Sequence, residues 1–565
     1  MDKLIYKIFF ILIIVFSTIK INAQNVHIKS NKVDSIFNTY NNNEVPGVSI
    51  GFIKDNKLEF FRSYGMSNLE NDISINENTI FNLASVSKQF TAFAILLLEQ
   101  EGKLSLEDDV HKYIPELYDY GQKITLKQLA NHTSGIRSHL QLLGLKGYIS
   151  DNVITKKDAL QIIFSQRELN FKPGEKYGYS NSGYVLLAEI VERVSGMSFP
   201  EFLKKRVFEP LEMNDTFVMD DYHKVIKNRA VSYEIENSIY VNAPANYSYY
   251  GSTGIYTNIK DFSKWVLNFF NPKVGSDKLF KKMTTETFLN NGQTTGYGLG
   301  LRVGIYNGHT YINHPGGDAG YVAFMGLFPQ HKAAVFLLSN NNTVNTEGKA
   351  LELADIMMTS SQQNNSHKQI LPLPENNRNT KIEIKNSELK QLEGHYLSNE
   401  NFLIRNLIMK DGSLYFSRPE QNHRETKLIP IGKGIFQFDG NPTVTAEFRK
   451  EQEKVTINIL MNGTIVETYD KYNRKTYTKK QLKIFEGSYY SPELDTTYEL
   501  KVMDDLLYVI HPKMGNIAVA SVKKNGFIGS NWQFRFIEFE ENNQEQITGL
   551  RVTSDRARNV YFKRE

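Results

Sequence analysis

Seven residues have the types and order to do chemistry together: Ser85, Lys88, Tyr179, Asn181, His314, Gly316 and Gly317. Ser85 and Lys88 stand three apart in Phe81-Asn82-Leu83-Ala84-Ser85-Val86-Ser87-Lys88-Gln89-Phe90, and on a helix that spacing puts them one turn apart on one face. A serine at a helix start faces unpaired N–H groups and the positive end of the helix dipole, which favour a developing negative charge. A neutral lysine one turn on can take the hydroxyl proton. Free lysine titrates near ~10.4, so this requires a site that is dry or crowded with positive charge. A capping serine followed by a solvent-facing lysine has the same spacing, and Ser-x-x-Lys arises often by chance, so the pair gains meaning only from its setting.

The pattern around the pair predicts that setting. An apolar helix runs from Thr91 to Gly102. Upstream, Val48–Ile53 and Leu58–Phe61 read as a hairpin closed by Asp55-Asn56. Thr125 to Ile136 reads as a short helix entering a polar turn, where His132 is expected to be a hydrogen-bonded loop histidine rather than a base. Pro173-Gly174 marks a turn, and Tyr184, Leu187, Ile190, Val191 and Val194 recur at helical spacing up to Gly196. Tyr179 and Asn181 are thus held on a loop before a buried helix. Phe202–Val207 and Asp261–Phe269 read as helices, and Gly251–Tyr256 as a turn of small residues. Strands are predicted from Tyr297–Leu301 onward, at Tyr321–Leu327 and at Ala333–Leu338, with a closing helix over Lys349–Met358. Strands at both ends of a helical middle predict an α+β domain: one antiparallel sheet, helices packed on it, and an inserted helical subdomain.

At 565 residues the chain is too long for one ordinary domain. Residues 1–23 read as a signal peptide, with Lys3 and Lys7 ahead of the apolar run Ile8–Phe16 and Ala23 before a cut at Gln24. The expected destination is periplasmic or extracellular, with an uncleaved anchor as the alternative. Residues 24–360 form the domain above. A linker over 361–385 is read from the polar stretch Thr359 to Thr380. Beyond it the pattern repeats. Leu392-Glu393-Gly394-His395-Tyr396 recurs as Phe485-Glu486-Gly487-Ser488-Tyr489, and Leu414-Tyr415-Phe416 as Leu507-Tyr508-Val509. Two all-β domains, 386–474 and 475–565, follow as small barrels or sandwiches. A net charge of +4 without a basic block predicts no nucleic-acid partner. The absence of cysteine excludes disulfides, thiol catalysis and thiolate ligands. His309 and His314, five apart with no carboxylate pair beside them, predict no metal site.

With Phe81–Lys88, Leu129–Ile136, Pro173–Tyr184, Phe208–Leu211 and His314–Gly317 in this order, residues 24 to about 360 resemble the serine β-lactamase and penicillin-binding protein superfamily. The resemblance is to its class C-like branch of D-alanyl-D-alanine carboxypeptidases, D-aminopeptidases and esterases. It implies Ser85 as the nucleophile of an acyl-enzyme, and Lys88 and Tyr179 sharing acid and base work. It further implies Asn181 holding Lys88 and the substrate amide, an oxyanion hole at the N–H groups of Ser85 and Gly317, and His314 and Gly316 on the opposite wall. No cofactor is implied. The D-aminopeptidase type carries two β-barrels after such a domain, with a barrel loop limiting substrate size; His395–Ile408 and Ser491–Tyr498 are the candidate loops here. Two positions depart from the pattern. Where β-lactamases carry Lys-Thr/Ser-Gly, this chain has His314-Pro315-Gly316, which lacks the charge and hydroxyl that clamp a carboxylate. Glu212 stands where Pro-Leu-Gly-Met usually has glycine. The expectation is a secreted serine hydrolase acting on small-molecule or peptide amides or esters, including D-amino-acid or cell-wall-related peptides, with wall contact through the β domains. The alternative is a β-lactamase or an acylatable sensor with little turnover.

Overall fold

The computed structural model describes residues 31–149, 151–358, 384–398, 400–418, 424–452, 454–461 and 463–565. The signal segment and nearly all of the linker expected from the sequence lie outside these residues. The chain forms two compact units. One comprises the described residues up to Leu140 and from Asp151 to Met358; the other comprises Gln141–Ile149 and the described residues from 384 onward.

The first unit is built on a six-stranded antiparallel sheet. Its strands are β1 (Val48–Lys54), β2 (Lys57–Tyr64), β3 (Arg302–Tyr306), β4 (His309–Asp318), β5 (Tyr321–Phe328) and β6 (Ala333–Ser339), in the order β3-β4-β5-β6-β1-β2. The first two strands thus join the last four, as the sequence predicts. Asp55 and Asn56 both take positive φ, 49° and 62°, which is the geometry a two-residue hairpin turn requires. Tyr297–Leu301 is not a strand; the run begins at Arg302, with Gly298 and Gly300 shaping a loop before it.

Alternation along the strands covers both faces of the sheet. Phe336 and Leu338 of β6 face a large core shared with the helices, while Val335 and Leu337 face a second core closed by Val33, Phe37 and helix α4 (Thr346–Met358). The helical core is organised on α1 (Lys88–Gln100) and α2 (Asn181–Ser195), with α3 (Ile259–Asn268) beside them. Gly196, φ 70°, ends α2 in the left-handed conformation. Glu212 also has a positive φ, 59°, which is the physical reason glycine suits that turn.

The second unit contains two closed eight-stranded barrels, one spanning Gly394–Tyr472 and the other Gly487–Arg564. They are barrels rather than sandwiches, and the repeated motifs begin equivalent first strands, Gly394–Leu397 and Gly487–Ser491. Gln141–Ile149 belongs to this unit, although the sequence division places it inside 24–360. The Tyr498 hydroxyl donates to the Leu145 carbonyl, and Leu142, Leu143 and Leu145 are buried. Apolar composition alone does not reveal which core such a segment joins.

Candidate functional site

The site lies in the first unit, where β4 passes the start of α1. Ser85 is on a tight 3₁₀ turn, Ala84–Ser87, and the α-helix begins only at Lys88. This corrects the expectation of one continuous helix; three residues per turn still stacks Ser85 and Lys88 on one side. Ala84 is held at φ 48°, a conformation costing an L-residue roughly 1–2 kcal/mol. The Asn82 side chain fixes it by accepting the Ala84 N–H at 2.9 Å. Strain at the residue before a candidate nucleophile is held by its surroundings.

Gly316 of β4 runs against this turn. A Cβ there would stand 2.4 Å from the Leu83 carbonyl oxygen and 3.2 Å from both Ala84 Cβ and Ser85 N, so only glycine permits the approach. Gly317 is exposed and a Cβ there would meet nothing within 4 Å. The two glycines therefore serve different geometries: one lets strand and turn touch, the other keeps the backbone open.

Lys88 is fully buried. Its Nζ donates to Ser85 Oγ at 3.1 Å and to the Ser252 carbonyl at 2.7 Å, and lies 4.9 Å from the Tyr179 ring centre and 5.5 Å from that of Tyr184. The loop supplying Ser252 is tied to α1 by Thr91, whose hydroxyl donates to the Gly251 carbonyl at 2.7 Å. Ser85 itself is half-buried, so the nucleophile candidate reaches solvent while the amine does not.

Asn181 is the first residue of α2, and its Oδ1 is buried without a hydrogen-bond partner among the described residues. It does not bond Lys88, contrary to the expectation from the resemblance; the Ser252 carbonyl is an acceptor for that amine instead. The buried acceptor left on Asn181 is suited to an incoming N–H. His132, at φ 62°, is a buried loop histidine, as expected; its Nδ1 accepts the Ser180 N–H at 3.2 Å. Its ring lies 4.1 Å from that of Tyr179, so it shapes the tyrosine's support.

His314 is buried, with Nε2 2.9 Å from the Tyr297 hydroxyl and Nδ1 2.6 Å from the Pro315 carbonyl. The carbonyl can only accept, so Nδ1 carries the proton and Nε2 accepts from Tyr297. Burial, with repulsion from Lys88, holds the imidazole down at about 3. It is neutral at pH 7. His139, fully buried against Tyr249, is held down to about 3 for the same two reasons.

Four site residues escape the sequence reading: Ser252, Tyr297, His139 and Asp318. Ser252 lies in a stretch recognised only as a small-residue turn, and it contributes a backbone carbonyl, which no residue type announces. Asp318 directly follows Gly316-Gly317, so its position was legible. Its carboxylate Oδ2 accepts the hydroxyls of Tyr247 and Thr253, each at 2.6 Å. Among the described residues no group of metal-ligating side chains forms a cluster.

Residues 33–356, more than half of the chain, match the family model described as Beta-lactamase. Penicillin-binding protein 4* of Bacillus subtilis (strain 168) is 31% identical over 301 residues, covering 50% of this chain and 65% of that protein. Protein flp of Staphylococcus aureus (strain N315) is 29% identical over 316 residues, covering 53% and 60%. The chain thus spans less than two thirds of the length of these relatives. Among solved structures, the octameric penicillin-binding protein homologue from Pyrococcus abyssi is similar over 80% of this chain and 99% of its own, at 25% identity and a TM-score of 0.52. With its Ser85–Lys88 pair, its β4 glycines and the family match over 33–356, the chain belongs to the Beta-lactamase family.

Proposed function

We propose that this protein is an exported serine hydrolase that cleaves amides or esters through an acyl-enzyme on Ser85. The observation that carries the reading is the contact between Lys88 Nζ and Ser85 Oγ, 3.1 Å, at a turn pressed against Gly316. Ser85 Oγ attacks the substrate carbonyl carbon, and its proton passes to the Lys88–Tyr179 pair. The carbonyl oxygen becomes an oxyanion facing the N–H groups of Ser85 and Gly317, donors fixed before the charge appears. When the tetrahedral centre collapses, the bond to the leaving nitrogen or oxygen breaks and the same pair returns the proton to it. Water then repeats the sequence on the Ser85 ester, releasing the acid and restoring the hydroxyl.

His314 favours peptidase or esterase work over β-lactamase work. A buried neutral imidazole followed by Pro315 offers neither charge nor hydroxyl to a substrate carboxylate. Natural substrates in this reading are D-amino-acid or cell-wall-related peptides. Export is supported by Lys3, Lys7, the apolar run Ile8–Phe16 and Ala23 before Gln24, and a mature N-terminus at Gln24 would establish it. The test of the reaction is labelling by a fluorophosphonate probe together with turnover of p-nitrophenyl esters, each expected to vanish in Ser85→Ala; probe-free protein without ester turnover would overturn the reading.

A further inference from the structure

The two barrels share a fold, and at one end they differ. Strand register matches them there residue for residue. Phe436 pairs with Ala446 as Phe527 pairs with Ile537, and the Phe448 and Phe539 N–H groups donate to the Gly434 and Asn525 carbonyls, each at 2.8 Å. Lys471 pairs with Tyr396 as Arg564 pairs with Tyr489. Each of these cations reaches back to a carbonyl ahead of the first strand: Lys471 to Gln391 at 2.7 Å, Arg564 to Ile484 at 3.1 Å.

In the second barrel this end is filled by rings. Phe485 lies 4.5 Å from Phe539 and 5.0 Å from Phe527 between ring centres, and Tyr477 stacks on Phe527 at 5.8 Å. The repeat that sets Leu392 against Phe485 sets Ile384 against Tyr477. Two rings thus give way to two aliphatic side chains, and the first barrel holds an open cavity of about 1140 Å³ walled by Ile384, Leu392, Phe436, Phe448 and Val455. Phe436 is 1% exposed, so the cavity reaches the barrel core. Ligand pockets of roughly 300–1,000 Å³ take small molecules, and this one has that capacity.

The charge at the mouth changes too. In the second barrel Lys524, the residue before Asn525, is neutralised by Glu541, two residues after Phe539, at 2.8 Å. The same places in the first barrel carry Lys433 and Lys450, so the carboxylate has become a second ammonium. Neither lysine has an ion pair among the described residues. Lys471 and Arg449 line the same cavity, Arg449 held by Glu447 at 3.3 Å, and Glu388 is the one carboxylate on its described wall. Burial and the field of Lys450, against that of Glu393, hold the Lys471 ammonium below its ordinary range. Cations gathered over an apolar wall repel one another and attract an anion.

We infer that this end of the first barrel is a binding site for an anionic amphiphile, a small molecule with one negative group on an acyl or aryl body. The apolar body takes the space that Tyr477 and Phe485 fill in the second barrel, and the anion accepts charge-assisted hydrogen bonds from Lys433 and Lys450. The site is separate from Ser85 and does not depend on the acyl-enzyme reading.

The test is calorimetric titration of the full-length protein with decanoate, decylammonium and acetate. Decanoate is expected to bind at least about tenfold more tightly than either, since one lacks the anion and the other the apolar body. Lys433→Glu with Lys450→Glu should weaken decanoate by at least about tenfold. Ile384→Tyr with Leu392→Phe, which copies the filling of the second barrel, should abolish its binding. A thermal melt checks that each variant folds, and the charge variant, altered only at exposed positions, decides the question if the filling variant does not. Decanoate binding no tighter than decylammonium, or binding unchanged in the charge variant, would overturn the inference, because an acid held at Ser85 or elsewhere would not respond to these lysines.

Discussion

Gly316→Ala puts the assembly of the site to a quantitative test. The added Cβ would stand 2.4 Å from the Leu83 carbonyl oxygen, whereas carbon–oxygen contacts settle near 3.3 Å, a shortfall of about 0.9 Å. The obstruction is backbone, and that carbonyl already accepts the Val86 N–H at 3.0 Å, so it cannot swing aside. On its other side β4 is held by β5 in the register Gly316↔Ala323. Strand and turn must therefore part by nearly 1 Å, separating the Ser85 and Gly317 N–H groups. A misplacement of that size costs about 10²-fold in rate, and the overpacking roughly 1–3 kcal/mol of stability. The assay is kcat/KM on a p-nitrophenyl ester, with the fluorophosphonate labelling rate and a thermal melt. Gly304→Ala on β3, where a Cβ meets nothing within 4 Å, is the control and should behave as wild type. Gly316→Ala with activity within about threefold of wild type would refute the claim that this contact sets the oxyanion site.

Ser85→Ala should lose on the order of 10⁴-fold or more in turnover with its fold retained, whereas Ser87→Ala, which removes only an acceptor for the Ile255 N–H, should keep turnover; the reverse pattern would misplace the nucleophile. Simple esters or amides should be turned over much faster than nitrocefin, and His314→Lys with Pro315→Thr should raise reactivity towards carboxylate-bearing ligands; nitrocefin turnover matching the best ester would contradict this. Acid should destabilise the first unit early. His139 and His314 are held at about 3, below their ordinary 6.5, so the unfolded chain takes up their protons first. Stability is full above about pH 6.5 and is lost as pH falls towards 3, by about 1.4 kcal/mol per histidine between pH 7.5 and 5.5. His139→Phe should flatten the fall of the melting temperature across that window, and an identical fall in both proteins would refute the assignment.

That strands from both ends of the domain share one sheet was legible because periodicity and turn chemistry both speak locally: Asp55-Asn56 closes a hairpin, and Gly196 ends a helix. The two barrels were legible through the repeat. The nucleophile turn was only half legible. Ser-x-x-Lys has the same spacing on an α-helix and on a 3₁₀ turn, and nothing in the letters reports that Ala84 sits at φ 48°. Backbone partners were invisible, which is why Lys88 was assigned to Asn181 and was found bonded to the Ser252 carbonyl. Asp318 was visible beside the glycines but silent, because its hydroxyl partners Tyr247 and Thr253 are brought to it only by packing. Gln141–Ile149 fails for a related reason: an apolar helix announces burial but not the core that receives it.

The central claim is that Ser85 carries the acyl group. Protein mixed with a slowly released ester, quenched in acid and digested, should show by mass spectrometry one acyl adduct on the peptide containing Ser85, absent from Ser85→Ala. An adduct on another residue, or turnover by Ser85→Ala at the wild-type rate, would contradict the account.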